Sequence, residues 1–235
     1  AASAPPTPTS KPKATPTPKP AVPVAPRLLV AISPPGSQTT MFHTQNSGSS
    51  TGVLRTIYDQ LLWLDRHDES QKPMLATDWK MSPSGKVWTF NLRDDVTFHD
   101  GTPFTSRDVR RSYDVTTLES SLSYRRKAWV NWLGDSSYNI DISDPHKVVF
   151  NLVVPTPFLI QDVAEHSVFP IISADHWDSQ GEEGYSDNPI GTGPFTFVEF
   201  GVGEGLLVER YKKAGDDHWW KIPEFDEVKF QYVPE

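Results

Sequence analysis

Two glycine clusters are the first residues of this sequence that could do chemistry, because glycine-rich loops cradle phosphate groups through their backbone N–H groups. The clusters are Gly191-Thr-Gly193 and Gly201-Val-Gly203-Glu-Gly205. A dinucleotide site needs Gly-x-Gly-x-x-Gly between a strand and a helix. Here Pro194 and extended segments follow the glycines, so the pattern favours backbone turns. No cofactor is expected.

Histidines and acidic residues show no catalytic or metal-binding arrangement in the sequence. The seven histidines lack His-Glu-x-x-His or a related ligand spacing, and His99 is expected to be a turn or surface residue. No Gly-x-Ser-x-Gly elbow occurs. Acidic pairs such as Asp94-Asp95 are adjacent, which is typical of solvated loops rather than of glycosidase carboxylates facing each other across a bond. These patterns therefore predict no catalytic residues and no metal site.

Aromatic residues are the remaining candidates for ligand contact. Eight tryptophans are present, and Trp79 and Trp88 are expected in the core. Tyr124, Trp129 and Trp132 lie in a region without a strong pattern, where amphipathic rings could line a ligand cleft. The alternative for Trp129 and Trp132 is a packed helix, and both interpretations stay open at this point.

Composition separates a tail from a body. The first 26 residues contain nine Pro, four Thr, three Lys and no acid, which predicts an extended, disordered linker that cannot bury a core. The remaining 209 residues carry 19 basic and 30 acidic side chains, a net charge of −11, so nucleic acid is not an expected partner. There is no cysteine and no apolar run long enough for a membrane span.

The stretch from Ala76 to Val109 carries the strongest local pattern. Between Val87 and Leu92, apolar Trp88, Phe90 and Leu92 alternate with Val87, Thr89 and Asn91, which predicts a strand with one buried face. Pro83-Ser84-Gly85 and Asp100-Gly101 are turn signals. Thr105 followed by Asp108 fits a capping box, so a helix is predicted from about Ser106 to Leu118.

The rest of the chain predicts an irregular mixture of elements. Helical spacing covers 51–62, short helices are predicted within 120–135 and 155–164, and Ser173 begins another. Further strands are predicted at 28–32, 138–142, 147–152, 168–172, 195–200, 206–211 and 228–233. Strands and helices without regular alternation indicate an α+β, or irregular mixed α/β, fold.

Four ordered motifs resemble one protein family. The stretch 76–109 resembles the defining region of the family 5 extracellular solute-binding proteins, which are the oligopeptide, dipeptide and nickel receptors of bacterial ABC importers. The other motifs are Tyr58–Leu62, Asn188–Phe195, and the segments Val208–Tyr211, Trp219–Lys221 and Phe225–Val228. Together they cover residues 28–235 in the family's order.

The resemblance implies a periplasmic-binding-protein-like type II lobe with an inserted small subdomain, and with the second lobe missing. Residues 1–26 are then the linker, 27–61 the start of lobe I, 62–170 the small subdomain and 171–235 the return to lobe I. Family members are about twice this length, so residues 1–235 alone are expected to bind ligand weakly and not to close around it.

The resemblance also implies a ligand site, partners, and a protein that binds its ligand and is not an enzyme. The loop before the first helix helps to line the cleft in the family, which points to Gln45, Asn46, Ser47 and Gly48 as ligand-binding residues. The expected partners are a peptide or small-molecule ligand and the transmembrane subunits of an ABC permease. The protein is expected outside the cell membrane as a monomer, and a lipid anchor, whose cysteine is not among these residues, is the one membrane attachment considered.

Two other functions stay open at this stage. Abundant tryptophan and the Pro/Thr linker would also suit a secreted carbohydrate-binding module or carbohydrate-active enzyme, although no acid/base pair is identifiable. A truncated receptor that no longer transports and serves as a surface interaction domain is the third interpretation. The sequence does not identify the ligand.

Overall fold

The computed structural model describes residues 25–32, 51–134, 136–164, 168–201, 204–211 and 225–233. Its first sheet has the strand order β1-β10-β9-β8, with β1 parallel to β10 and the other pairs antiparallel. These strands are β1 (Ala25–Ile32), β8 (Phe195–Gly201), β9 (Gly205–Arg210) and β10 (Phe225–Tyr232). The two ends of the described chain therefore meet in one sheet.

The second sheet is built from residues between these ends. It has the order β4-β5-β7-β6, and every neighbouring pair is antiparallel. The strands are β4 (Ala76–Met81), β5 (Val87–Leu92), β6 (Ile140–Asp144) and β7 (Lys147–Asn151), and a separate hairpin pairs β2 (Leu62–Leu64) with β3 (Gln71–Pro73). Two sheets with different helices against them make the α+β architecture expected from the sequence.

The alternation in β5 decides which face of the second sheet is buried. Trp88, Phe90 and Leu92 are buried, as predicted, while the residues between them are more accessible. Phe90 packs edge-on against Phe150 of β7, with ring centroids 5.7 Å apart. Burying three large side chains from one strand removes several hundred square ångströms of apolar surface from water, so this face forms one core.

Five helices pack around the sheets in the described part of the chain. They are α1 (Thr51–Ile57), α2 (Ser106–Thr116), α3 (Arg126–Leu133), α4 (Leu159–Asp162) and α5 (Ala174–Asp187), which breaks at Gly181, where φ is 69°. A 3-10 turn lies at Ser137–Asn139. None of these helices combines the length and apolar character that crossing a bilayer requires.

The predicted turns and capping box are confirmed. Gly85 adopts φ 69° in the β4–β5 turn, and its N–H donates to the Ser82 carbonyl at 2.9 Å. Gly101 adopts φ 91°, and its N–H donates to the Phe98 carbonyl at 2.8 Å. Both angles lie in the left-handed region that favours glycine. Helix α2 begins at Ser106, one residue after its N-cap Thr105.

One predicted strand is wrong, and several element boundaries differ by two to five residues. Residues 168–172 are buried but form no strand, because their N–H groups have other partners: Ile171 donates to the Asp59 carbonyl at 2.8 Å and Ile172 to Ser112 Oγ at 2.9 Å. Helix α1 ends at Ile57 rather than continuing to 62. Strand β1 begins at Ala25, so it includes the last two residues of the predicted linker.

The apolar core consists of two clusters. One joins the second sheet to α2, α3 and α4, and the other joins the first sheet to α1 and α5. The chain passes from the first-sheet core to the second-sheet core after Ile57 and returns at α5, which begins at Ala174 and packs with the first sheet. The predicted domain boundaries near residues 61 and 171 lie close to these crossings but stay predictions, as does the disorder of residues 1–24, which lie outside the described residues.

Candidate ligand-binding face and the joint between the sheets

The predicted ligand loop lies outside the described residues. Gln45, Asn46, Ser47 and Gly48 fall in the segment between the end of β1 at Ile32 and the start of α1. Their ligand-binding role therefore stays a prediction. The flanking elements are described, and both belong to the layer of the first sheet.

Trp129 lies in the core and not on a ligand-facing surface. Its side chain is fully buried, stacked on Phe169 at 4.6 Å between ring centroids and edge-on to Tyr113 at 6.2 Å. Its indole Nε1 has no hydrogen-bond partner within the described structure. The packed-helix interpretation therefore holds for Trp129, because a ligand at the surface cannot reach a ring enclosed on all sides.

Tyr124 and Trp132 remain accessible to different degrees. The Tyr124 side chain is 67% exposed. Trp132 packs at the edge of the core, and the Arg125 guanidinium lies over its ring at 5.1 Å from the centroid. Arg125 also forms a two-pronged ion pair with Asp162 at 2.8 and 2.6 Å, which raises the Arg125 pKa. The predicted ligand contacts of Tyr124 and Trp132 stay predictions.

Two concavities, each of about 480 Å³, lie on the second-sheet unit and are not lined by Tyr124, Trp129 or Trp132. One lies between α2, α3 and the 3-10 turn and is lined by hydroxyls, Asp114, Arg126 and Lys127; the other lies beside the β2–β3 hairpin. Arg126 Nε donates to the Thr117 and Leu118 carbonyls at 3.0 and 2.7 Å. That cation is therefore occupied with capping the end of α2. In the described residues, no group of three or more His, Asp or Glu side chains could hold a metal ion.

The joint between the two sheets combines close backbone contacts with buried polar side chains. Gly191 and Gly193 cross directly over the backbone of Ile57. A Cβ atom on Gly191 would lie 2.0 Å from the Ile57 oxygen, and one on Gly193 would lie 2.7 Å from the same oxygen. The Gly193 N–H donates to that carbonyl at 2.9 Å. These glycines are required by close backbone approach, so they form no phosphate loop.

Polar side chains hold this crossing in place. Thr192 Oγ1 donates to Asp59 Oδ2 at 2.8 Å, and both residues are buried. The Gly191 N–H donates to His99 Nδ1 at 3.2 Å, and His99 Nε2 bonds to the Gly193 carbonyl at 2.9 Å. His99 is therefore more than the turn or surface residue that sequence reasoning expected. The sequence hinted at this contact only through a histidine two residues before the turn glycine Gly101 and a distant Gly-Thr-Gly motif, and no local pattern connects the two.

Asp108 makes a second connection, between α2 and α5. Its Oδ2 accepts from the Thr105 N–H at 2.7 Å and from Thr105 Oγ1 at 3.0 Å, while its Oδ1 accepts from the Ala174 N–H at 2.8 Å. Burial raises the Asp108 pKa, and the three hydrogen bonds oppose that rise. The Asp108 carboxylate thus caps the N-terminus of α2 and also binds the first residue of α5.

Comparison with known proteins gives the same family across most of the chain. A family model described as bacterial extracellular solute-binding proteins, family 5 Middle, matches residues 70–235. The chain is 27% identical to the nickel-binding periplasmic protein of Escherichia coli K12 over 171 residues, 72% of this chain and 30% of that protein. It is 26% identical to the dipeptide-binding protein of the same strain over 220 residues, 86% of this chain and 40% of that protein.

Solved structures agree with the fold. The periplasmic binding protein AgaA of A. tumefaciens R10, solved with agropinic acid, has a TM-score of 0.72 at 26% identity, covering 87% of this chain and 40% of AgaA. DppA of Helicobacter pylori, solved with the peptide STSA, has a TM-score of 0.74 at 24% identity, covering 90% of this chain and 43% of DppA. The chain thus spans about a third to two fifths of the length of these relatives.

Proposed function

Because the chain belongs to family 5 of the bacterial extracellular solute-binding proteins, we propose that it forms part of the substrate-binding receptor of an ABC importer. The observation that carries this proposal is the family match over residues 70–235. The receptor would bind a peptide or a similar small solute outside the cytoplasmic membrane and deliver it to the transmembrane subunits of a permease. Its chemistry would be binding and not catalysis.

The ligand would lie against the loop 45–48 and the accessible ring of Tyr124. Tyr124 suits this role because its side chain is 67% exposed although the ring is large and partly apolar. A backbone loop of small polar residues supplies N–H and C=O groups for a peptide or carboxylate ligand. Trp132 would act indirectly, because it supports Arg125 and the segment that carries Tyr124.

Two-dimensional NMR titration of the 235-residue chain tests the proposal, because it detects millimolar affinities and locates them. The ligands are a pool of di- to tetrapeptides and, separately, the nickel complex of histidine. We expect saturable shifts of residues 45–48 and 124 for at least one ligand class.

The matched variants are Tyr124→Ala and Tyr138→Ala. Tyr138 is 87% exposed and lines the α2–α3 concavity, so it is a tyrosine on a different surface. Tyr124→Ala should weaken binding by about tenfold, in line with the loss of one aromatic contact, and Tyr138→Ala should not change it. The proposed site is refuted if the shifts centre on the α2–α3 concavity, and the proposed function is refuted if neither ligand class binds at millimolar concentration.

A further inference from the structure

The imidazole of His99 joins the two sheet layers through both of its nitrogens. His99 is half-buried in the turn before α2, and its partners lie 92 and 94 residues further along the chain. The backbone N–H of His99 also donates to the Gly191 carbonyl at 3.0 Å. Three hydrogen bonds therefore connect this one residue to the crossing.

The partners fix the protonation state of the ring. The Gly193 carbonyl can only accept, so His99 Nε2 must carry the proton of that bond. The Gly191 N–H can only donate, so Nδ1 must be unprotonated. The neutral ring with hydrogen on Nε2 satisfies both partners. An imidazolium has donors at both nitrogens, and turning the ring over does not restore an acceptor.

We propose that His99 is the positioning residue of the joint between the two sheets, that it holds residues 191–193 only in its neutral form, and that mild acid loosens this joint. Gly191 and Gly193 make the joint sensitive to the loss of the His99–Gly191 hydrogen bond. They lie in direct contact with the Ile57 backbone, and small changes at a packed crossing become changes in the orientation of the connected layers.

Among the described residues, three titratable groups belong to the segments around the ring, and each is already hydrogen-bonded to another residue. Tyr211 packs against the His99 ring, with ring centroids 5.0 Å apart, and burial raises the Tyr211 pKa, so the phenol stays neutral. Asp100 lies in the same turn and accepts from the Thr102 N–H and hydroxyl. Asp59 accepts from Thr192 on the crossing. Both carboxylates attract an imidazolium, but the Gly191 N–H still faces a second donor.

Hydrogen exchange measures the joint directly. The protection factor of the Gly191 amide, corrected for the intrinsic exchange rate, is measured from pH 7.5 to 5. We expect it to fall by up to about tenfold per pH unit once the ring begins to take up a proton, which for an ordinary imidazole occurs near pH 6.5. Long-range proton–nitrogen spectra at pH 7.5 should show the neutral form with hydrogen on Nε2.

Two variants separate this role from a merely structural one. His99→Gln keeps a donor and an acceptor but does not titrate, so its Gly191 protection should be independent of pH. His176→Gln is the matched control, because His176 Nε2 bonds to the Asn188 carbonyl at 2.8 Å and a protonated ring keeps that donor. This variant should retain the pH dependence of the original chain.

Three results would overturn the proposal: a neutral ring with hydrogen on Nδ1, pH-independent protection in the unmodified chain, or the same slope in His99→Gln. The first two are measured without any substitution, so they decide the matter even if a variant fails to fold. No ligand is involved, so the outcome is independent of the proposed receptor function.

Discussion

Replacing Asp108 with alanine removes the carboxylate that connects α2 to α5. Three donors lose their acceptor: the N–H and hydroxyl of Thr105 and the N–H of Ala174. The Ala174 N–H is buried with its partner, so after the substitution it has neither protein nor water to bond. The helix loses its capping box in the same step.

The magnitude follows from the kinds of group left behind. An orphaned buried N–H costs about 1–3 kcal/mol, and loss of an N-terminal cap costs about 0.5–2 kcal/mol. The substitution also removes the cost of burying a carboxylate, which is the cause of the raised Asp108 pKa, and this gain offsets part of the loss. We therefore expect Asp108→Ala to lower the free energy of unfolding by about 2–3 kcal/mol.

Urea unfolding at pH 7 measures this difference. The matched control is Asp114→Ala, on the same helix but at a half-exposed position, where the carboxylate pairs with Arg111 at 3.7 Å. The control should change the free energy by less than about 1 kcal/mol. A loss below 1 kcal/mol for Asp108→Ala would refute the claim that this carboxylate joins the two helices.

The pH dependence of Asp108→Asn gives an independent check on the direction of the pKa shift. Because the folded-state pKa of Asp108 is raised above its ordinary value of 3.8, the pH-dependent contribution is fully present below that value. It is lost as pH rises through the raised pKa. The stability advantage of the original chain over Asp108→Asn should therefore widen between pH 7 and 4. A narrowing advantage would mean that the hydrogen bonds outweigh burial.

Three further single substitutions, one of them followed by a second change in the same protein, test the joint and the core. Gly191→Ala should cost at least about 2 kcal/mol in urea unfolding, because its Cβ would lie 2.0 Å from the Ile57 oxygen; an unchanged midpoint would contradict the close approach. Arg125→Ala should lower the free energy of unfolding by about 2 kcal/mol, because it leaves the largely buried Asp162 carboxylate without its cation. The double variant Arg125→Ala/Asp162→Asn should regain part of that stability, and no regain would contradict the ion pair. Trp129→Ala should cost about 3–5 kcal/mol by opening a cavity, and a loss under 1 kcal/mol would place the ring at the surface.

The sequence predicted best those features whose partners are close along the chain. The alternation in β5, the turn at Gly85 and the box formed by Thr105 and Asp108 each depend on residues within about six positions. Their side-chain types decide the backbone with little help from the rest of the fold. The family resemblance added the architecture, because four motifs in one order constrain topology in a way that no single pattern does.

The features that sequence reasoning missed depend on distant partners. Residues 168–172 have the apolar, β-branched character of a strand, but the backbone of Ile171 and Ile172 bonds to Asp59 and Ser112 instead of to a neighbouring strand. No local pattern encodes a partner 60 or more residues away. The same reason explains why His99 looked like an ordinary turn residue.

Helical spacing alone could not separate the two tryptophans of α3. Trp129 and Trp132 are three residues apart and so share one side of the helix, which fits either a ligand-facing stripe or a core stripe. The structure places the first in the core and the second at its edge, under Arg125. What decides is the position of Phe169, which lies 40 residues away and stacks on Trp129.

Two kinds of contact hold the sheet layers together, and they should respond differently to mutation. At the joint, both chain crossings meet through backbone bonds and buried polar groups such as Asp59 with Thr192. Between α2 and α5, the buried Asp108–Ala174 hydrogen bond belongs to the same polar kind. The second kind is the surface ion pairs of Arg107 and Arg111 with Asp178. Surface ion pairs contribute little and are weakened by salt. The buried polar contacts should therefore set the orientation of the layers. A substitution there, such as Asp108→Ala, should lower the urea midpoint at any salt concentration, while Asp178→Ala should have a small effect that added salt removes.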